Sequence, residues 1–427
     1  MLIRRAQVSV RPDLGMCDIS YNDEYFAAQF AGLSLSSVFQ PIFSIAHRKP
    51  VGYEGLVRAH DIEGSQVSPL QIFQRPESTK QHLELDRTCR LLHARNFAEQ
   101  QEPDSWLFLN LNSQCLVSER PDAGFMRQLM AQSGLGARRI VIEILESEID
   151  DREYLKHLIH HFRELGCLIA IDDFGAGHSN FDRIWELQPD LVKLDRSLVK
   201  QAAKSLKIER ILTGIVSLIH EAGSLAIIEG VETEQEAMVA ISSNADMVQG
   251  FYFAMPSADI VSDKGFADKM DALLHQQQNV RSQYNRKLQQ HFYDFRERYD
   301  AEVRFFEENK VFDQCGHKLF EDERVVRCFL LDENGYQIGK SLYSPKYTEK
   351  LDIRFTPLLS GDNANWSHRH YHYRAMQNPG VSQISRPYLS VAGSHMCITV
   401  SHAVQLDNKT MVFCCDLDWP DEDLSLD

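Results

Sequence analysis

Between Val38 and Phe253, short apolar stretches alternate with longer amphipathic ones, and this alternation leaves few folds open. Strands are expected at Val38–Ile45, Gly52–Ala59, Trp106–Leu111, Ile140–Leu145, Leu168–Asp172, Leu191–Leu194, Leu225–Val231 and Met247–Phe253. Helices are expected at Glu84–Gln100, Asp151–Leu165, Phe181–Leu187, Ser197–Ala222 and Glu234–Ser242. In the second of these, Tyr154, Leu155, Leu158, Ile159, Phe162 and Leu165 mark one apolar face. Gly166 and Gly223 stand where helix C-caps belong. Strands and helices in this alternation form a (β/α)8 barrel. The first strand pair departs from the pattern. Its connection, Ala46–Pro50, is too short for a crossover helix, so a hairpin and one antiparallel strand are expected there. A short arm ending in a helix near Asp23–Phe30 precedes it.

Glu54, Asn110, Glu143, Asp172 with Asp173, Lys193, Glu229 and Gln249 each lie within or at the end of a different expected strand. In such a barrel the strand ends converge on one mouth. A single charge on a buried strand is ordinarily a paired core group. Acids and amides on so many separate strands need a shared counter-charge, because burying them unpaired is prohibitive. Oxygen donors without clustered His or Cys favour Mg²⁺ or Mn²⁺ over zinc. Asp172 and Asp173 also close a strand just before Gly175 and Gly177. Read alone, that stretch fits a divalent-metal site under a mobile lid, and equally a polar strand end leading into a helix cap.

The net charge of -16 argues against a binder of DNA or RNA duplex, though a phosphate-bearing small ligand bridged by cations stays open. The 9 cysteines contain no Cys-x-x-Cys and one adjacent pair, Cys414-Cys415, which fits free thiols in a reducing compartment. Arg4 and Arg5 are followed by no apolar stretch of a signal peptide, and no run approaches the roughly 20 apolar residues of a membrane span. A cytoplasmic protein is expected.

The motifs in their order strongly resemble the EAL-domain family of cyclic di-GMP phosphodiesterases. They are Phe39-Gln40-Pro41-Ile42, Tyr53-Glu54-Gly55-Leu56-Val57-Arg58, Leu109-Asn110-Leu111-Asn112 and Glu143-Ile144-Leu145-Glu146-Ser147. Ile171-Asp172-Asp173-Phe174-Gly175-Ala176-Gly177, Val192-Lys193-Leu194-Asp195, Glu229-Gly230-Val231-Glu232-Thr233 and Gln249-Gly250-Phe251-Tyr252-Phe253 complete the set. The resemblance implies a modified TIM-type barrel with an antiparallel first strand, and hydrolysis of cyclic di-GMP to linear pGpG with two Mg²⁺ or Mn²⁺ ions per site. It makes Glu54, Asn110, Glu143, Asp172 and Asp173 metal ligands, with Asp172 bridging the ions. Glu229 is implied as general base or further ligand, and Lys193 as the holder of the attacking water or a phosphoryl oxygen. Gln40, Leu56, Arg58, Asp195 and Gln249 are implied substrate contacts, with Arg58 on phosphate and Gln40 on a guanine or its ribose. Glu146, Gly175, Gly177 and Glu232 are implied to support the lid at Phe174–Asn180. The departures are Gly55 for the signature's Ala, Asn112 for Ser, Leu145 for Thr and His178 for Tyr. A receptor that binds without cleaving is the alternative, and such a receptor would have lost metal ligands. No Gly-Gly-acid-acid-Phe loop of a cyclase is present.

Beyond Pro256 the texture changes. Val280, Tyr284, Leu288, Phe292, Phe295, Tyr299, Val303 and Phe306 recur at helical steps without an intervening Gly or Pro, so a long amphipathic helix is expected. Its stripe fits both a coiled-coil seam between subunits and packing on its own C-terminal domain. Arg324–Leu331 and Tyr336–Leu342 flank the turn Asp332-Glu333-Asn334-Gly335. Further strands are expected at His368–Tyr373, Arg386–Val391, Met396–Val404 and Thr410–Leu417. This order resembles PAS/Cache-like sensor domains, implying a smaller α+β domain for a small-molecule ligand or for homodimer formation. The expected division is an arm at 1–36, the barrel at 37–257, a linker helix at 258–309 and the sensor at 310–427. His368, His370 and His372 would share a strand face, either solvated or holding zinc or copper. Trp366, Arg369 and Tyr388 are candidates to line a pocket for a small anion.

Overall fold

The computed structural model describes residues 16–22, 24–102, 104–112, 123–145, 152–177, 181–260, 265–346, 361, 363–390 and 396–419. It divides into two compact units, Met1–Gln277 and Gln278–Asp427.

The first unit opens with the antiparallel strands β1 (Ile19–Tyr21) and β2 (Phe26–Phe30), which continue onto β3 (Leu33–Ser44). The helix expected near Asp23–Phe30 is thus replaced by a strand. Ala28 and Phe30 are buried on either side of exposed Gln29, a period of two, and Asn96 hydrogen-bonds both the N–H and the carbonyl of Phe26. β3 turns back into β4 (Lys49–His60), the expected hairpin.

There follow β5 (Gln66–Val67), α1 (Pro69–Phe73), α2 (Thr79–Glu99), β6 (Trp106–Leu111), α3 (Ala123–Ser133), β7 (Ile140–Leu145) and α4 (Arg152–Leu165). The chain continues through β8 (Leu168–Phe174), α5 (Asp182–Leu187), β9 (Leu191–Leu194), α6 (Arg196–Ala202), α7 (Leu206–Glu221), β10 (Leu225–Ile228), α8 (Glu234–Ser242) and β11 (Met247–Val248). The barrel order is β3-β11-β10-β9-β8-β7-β6-β4, closed by the β3–β4 pairing. β3 is antiparallel to both neighbours and the other barrel pairings are parallel.

Two strands end sooner than expected, and one expected helix is two. β10 and β11 stop at Ile228 and Val248 because the chain turns at Gly230, with φ of 60°, and the two loops then bond to each other, Val231 N–H donating to the Gln249 carbonyl at 3.1 Å. The 197–222 stretch breaks between α6 and α7 where the amides of Lys204 and Ser205 close tight turns.

α9 (Phe266–Asn309) gives Phe266, Met270 and Leu273 to the core of the first unit, and Phe292, Phe295, Tyr299, Val303 and Phe306 to that of the second. Of the two arrangements open for its aromatic stripe, these residues take the one inside their own chain. The Tyr299 hydroxyl donates to the Phe413 carbonyl at 2.6 Å. The second unit is otherwise built from β12 (Val325–Asp332), β13 (Gln337–Tyr343), α10 (His370–Gln377), β14 (Gln383–Ile384), β15 (Tyr388–Leu389), β16 (Met396–Leu406) and β17 (Lys409–Asp418). The antiparallel order is β13-β12-β17-β16-β14, with β15 also on β16. The Asp332 carboxylate accepts from the amides of Asn334 and Tyr336, which fixes the β12–β13 turn.

The strand expected at His368–Tyr373 is instead the start of α10. Tyr371 and Ala375, four residues apart, are buried against Phe329 and Val412, a helical spacing. His368 and His370 are therefore exposed while His372 is buried beside the Asp332 carbonyl, so the three do not share a face. The strand expected over Arg386–Val391 is confined to β15, Val391 lying outside the described residues. No helix among the described residues is long and apolar enough to cross a membrane.

Candidate active site

The site is a layer of the barrel. Ile42, Phe108, Val141, Ala170, Leu191, Ile227 and Met247, one from each of seven strands, form a closed apolar plug. The eighth strand, β4, contributes Gly52, where a Cβ would meet the Phe108 ring at 2.5 Å. Side chains two residues apart on a strand point the same way. Two residues on toward the mouth therefore stand Glu54, Asn110, Glu143, Asp172, Lys193, Glu229 and Gln249, and on antiparallel β3, two residues back, Gln40 opposite Glu54. An apolar floor thus carries a polar ring on every strand.

Asp173 should point away from Asp172. Instead the β8–β9 register shifts between Ile171 and Phe174, and Asp173 takes a φ of 54°, the left-handed region that Asp tolerates. The bulge brings oxygens of Asp172, Asp173 and Glu229 within 4.8 Å of one another.

Lys193, 1% exposed, is the cation at the centre. Its Nζ lies 2.5 Å from Glu143 and Glu229, 3.1 Å from Asp172 and 3.5 Å from Glu54. Burial works against its charge, but these carboxylates outweigh burial and raise its pKa well above the ordinary value. Burial likewise pushes Glu143 and Glu229 far above the usual carboxylate range in spite of Lys193. Asp173 is raised by burial and then by Asp172 and Asp195. Glu54 goes the other way. Burial raises it, but Lys193 and the amides of Gln249 (2.8 Å) and Asn110 (2.9 Å) bring it below its usual value.

One ammonium does not balance these acids. Glu143 Oε2 and Gln249 Oε1 are buried and accept no hydrogen bond among the described residues. Unsatisfied buried oxygens around excess negative charge fit a hard divalent cation.

Beside the ring, Asn110, Leu56 and Arg58 also line a cavity of about 500 Å³ walled by β4, α1, α2 and β6. Arg58 donates to the Val57 carbonyl, and burial lowers its pKa. Two implied residues have other partners here. Asp195 caps α6 through the Ser197 amide at 2.9 Å, and Glu232 is exposed and paired with Lys200. Gly175, at φ of 101°, lies where a Cβ would meet Leu198 at 2.3 Å, while Gly177 has nothing within 4 Å. Glu146 and His178 lie outside the described residues.

Residues 26–256 match the EAL domain family. The chain belongs to that family. Along most of its length it is similar to the uncharacterized EAL-domain containing protein YkuI of Bacillus subtilis, 26% identical over 394 residues, 88% of this chain and 92% of that protein. The crystal structure of YkuI in complex with substrate c-di-GMP and calcium aligns with a TM-score of 0.75 at 25% identity, covering 90% of this chain and 96% of that one. The probable cyclic di-GMP phosphodiesterase PdeB of Escherichia coli is 28% identical over 231 residues, and the cyclic di-GMP phosphodiesterase NbdA of Pseudomonas aeruginosa 27% over 228. These matches cover 52% and 51% of this chain, and 43% and 28% of those proteins.

The EAL barrel explains two glycines of its own site. At Gly250, next to Gln249, a Cβ would lie 2.1 Å from the Val231 carbonyl oxygen, and backbone cannot yield as a side-chain tip can. Gly250→Ala is therefore expected to lower the melting temperature by roughly 5–10 °C, measured by differential scanning calorimetry. An unchanged melting temperature would mean that the two loops move independently. At Gly55 a Cβ would meet His93 at 2.9 Å. His93 is a helix residue outside every motif, so the departure at Gly55 does not by itself point to it. The glycine was itself the signal that something packs closely there.

Proposed function

We propose that the chain is a divalent-cation-dependent phosphodiesterase that opens cyclic di-GMP to linear pGpG. The observation that carries this reading is the ring of Glu54, Asn110, Glu143, Asp172 and Asp173 around Lys193, with buried oxygens left without hydrogen bonds. Relatives named as cyclic di-GMP phosphodiesterases, and YkuI with c-di-GMP and calcium, support it. Those five residues would hold two cations, Mg²⁺ or Mn²⁺, which when bound stabilise charge on phosphoryl oxygens and acidify an attacking water.

The remaining roles belong to this chain's own groups. Glu229, beside Lys193, accepts a proton from the water. Lys193 keeps the crowded carboxylates together and orients the attacked phosphoryl group. Arg58 takes a substrate phosphate, Leu56 and Gln40 contact a nucleoside, and Gln249 holds Glu54. Asp195 contacts the substrate, and Gly175, Gly177, Glu146 and Glu232 support the lid.

The division into an arm (1–36), barrel (37–257), linker helix (258–309) and a PAS/Cache-like sensor (310–427) belongs to the same proposal. So do a homodimer, a small-molecule ligand of the sensor and a cytoplasmic location.

The test is chromatographic. Purified protein given cyclic di-GMP should yield pGpG with Mn²⁺ or Mg²⁺ and none with a chelator. Binding without cleavage under both metals would replace the enzyme with a receptor.

A further inference from the structure

His93 on α2 has no part in the roles above, yet it lines the cavity that opens beside Asn110 and Arg58. It is 4% exposed, and its Nε2 has no hydrogen-bond partner among the described residues. Burial pulls its pKa down to about 3, so the ring is neutral.

Its proton can be placed from its neighbours. Asn96 accepts from the Phe26 N–H at 2.7 Å and donates to the Phe26 carbonyl at 2.9 Å, which fixes the amide's orientation. The same Nδ2 then donates to Ser37 Oγ at 3.1 Å. Ser37 is buried, and the only further group within hydrogen-bond reach of its hydroxyl among the described residues is His93 Nδ1, at 2.8 Å. A buried hydroxyl proton left unpaired is costly, so Ser37 donates to Nδ1, and the ring carries its hydrogen on Nε2.

The cavity around this donor is largely apolar, with Leu56, Leu70, Phe73, Leu111 and Leu145 among its walls. A flat base suits such walls. Guanine presents acceptors at O6 and N7, whereas adenine places an N6 donor where guanine has O6. We propose that His93 is a substrate-specificity residue, donating from Nε2 to O6 of one guanine of the dinucleotide. The missing side chain at position 55 makes room for it, since a Cβ there would overlap His93 Cβ and Cγ at 2.9 Å. This rests on the cyclic di-GMP reading and adds to it the residue that separates guanine from adenine.

The experiment measures binding to the full chain by calorimetry with calcium, the cation in the YkuI complex, so that turnover is not required. His93→Phe should weaken cyclic di-GMP about tenfold and cyclic di-AMP far less, and His93→Gln, which restores a donor, should recover most of the loss. Gly55→Ala should weaken cyclic di-GMP in the wild-type background and add little beside His93→Ala. Equal cyclic di-GMP affinity in His93→Phe, or equal loss for both dinucleotides, overturns the proposal while leaving the phosphodiesterase reading intact. A wild type that binds neither overturns both. If circular dichroism finds His93→Phe unfolded, Ser37→Ala takes its place, with the same two outcomes, because it removes the group that fixes the tautomer.

Discussion

Lys193→Met is expected to reduce cyclic di-GMP hydrolysis by about 10³-fold and to lower the melting temperature of the cation-free protein by about 10 °C. The side chain keeps its volume and loses its charge. Four carboxylates within 3.5 Å of Nζ then face one another without a counter-ion, in the interior of a barrel. Breaking a buried pair by removing one partner costs about 3–5 kcal/mol, and here one cation serves several acids. A divalent cation replaces part of the missing charge. Adding Mn²⁺ should therefore raise the melting temperature of the variant more than that of the wild type, in the same calorimetric scan. Equal cation-free melting temperatures would mean that the acids are already neutral, and the ring would then need no central charge.

This ring was legible in the sequence because strands impose a period of two. Once Val141, Ala170, Leu191 and Ile227 are taken as the floor, Glu143, Asp172, Lys193 and Glu229 follow by counting. Asp173 breaks the count. Its place in the cluster depends on a bulge and a left-handed residue, and neither has a periodic signature. The extended reading of Val231 and Phe253 failed for a related reason, since apolar residues in tight loops over a barrel mouth look like strand residues. Phe26–Phe30 was missed because five residues, two of them alanine, satisfy helical and extended patterns alike. His368-Arg369-His370-Tyr371-His372 misled in the opposite direction. The alternation of His was real, but the buried pair was Tyr371 and Ala375, four apart. His93 could be placed only by the three-dimensional approach of α2 to β4, of which Gly55 was the sole trace.

The second unit carries a buried charge pair within its sheet. Arg327 on β12 and Asp416 on β17 stand opposite each other, 3% and 0% exposed, with Nε donating to Oδ2 at 2.7 Å. Thr399, opposite Asp416 on β16, donates to the other carboxylate oxygen at 2.7 Å, and the Tyr388 hydroxyl lies 2.6 Å from Thr399. A row of polar groups thus crosses the sheet on the face where Phe329, Ala403, Val412 and Cys414 are apolar. Arg327→Leu leaves the buried Asp416 carboxyl group without its cation and held by one hydroxyl, so a loss of about 3–5 kcal/mol is expected. Hydrogen exchange localises the effect: the amides of Met396–Leu406 and Lys409–Asp418 should exchange about 10²–10³-fold faster, while those of β6–β10 keep their rates. Arg327→Leu with Asp416→Leu removes both desolvation costs together and should recover most of the protection, since matched apolar residues replace buried pairs at little cost. If the single variant exchanged like the wild type, the Arg327–Asp416 pair would contribute nothing to the stability of the sheet. If the double variant stayed as unstable as the single, the stabilisation would lie in the hydrogen bonds of Thr399 and Tyr388, and the arginine's part would be to hold their acceptor in place.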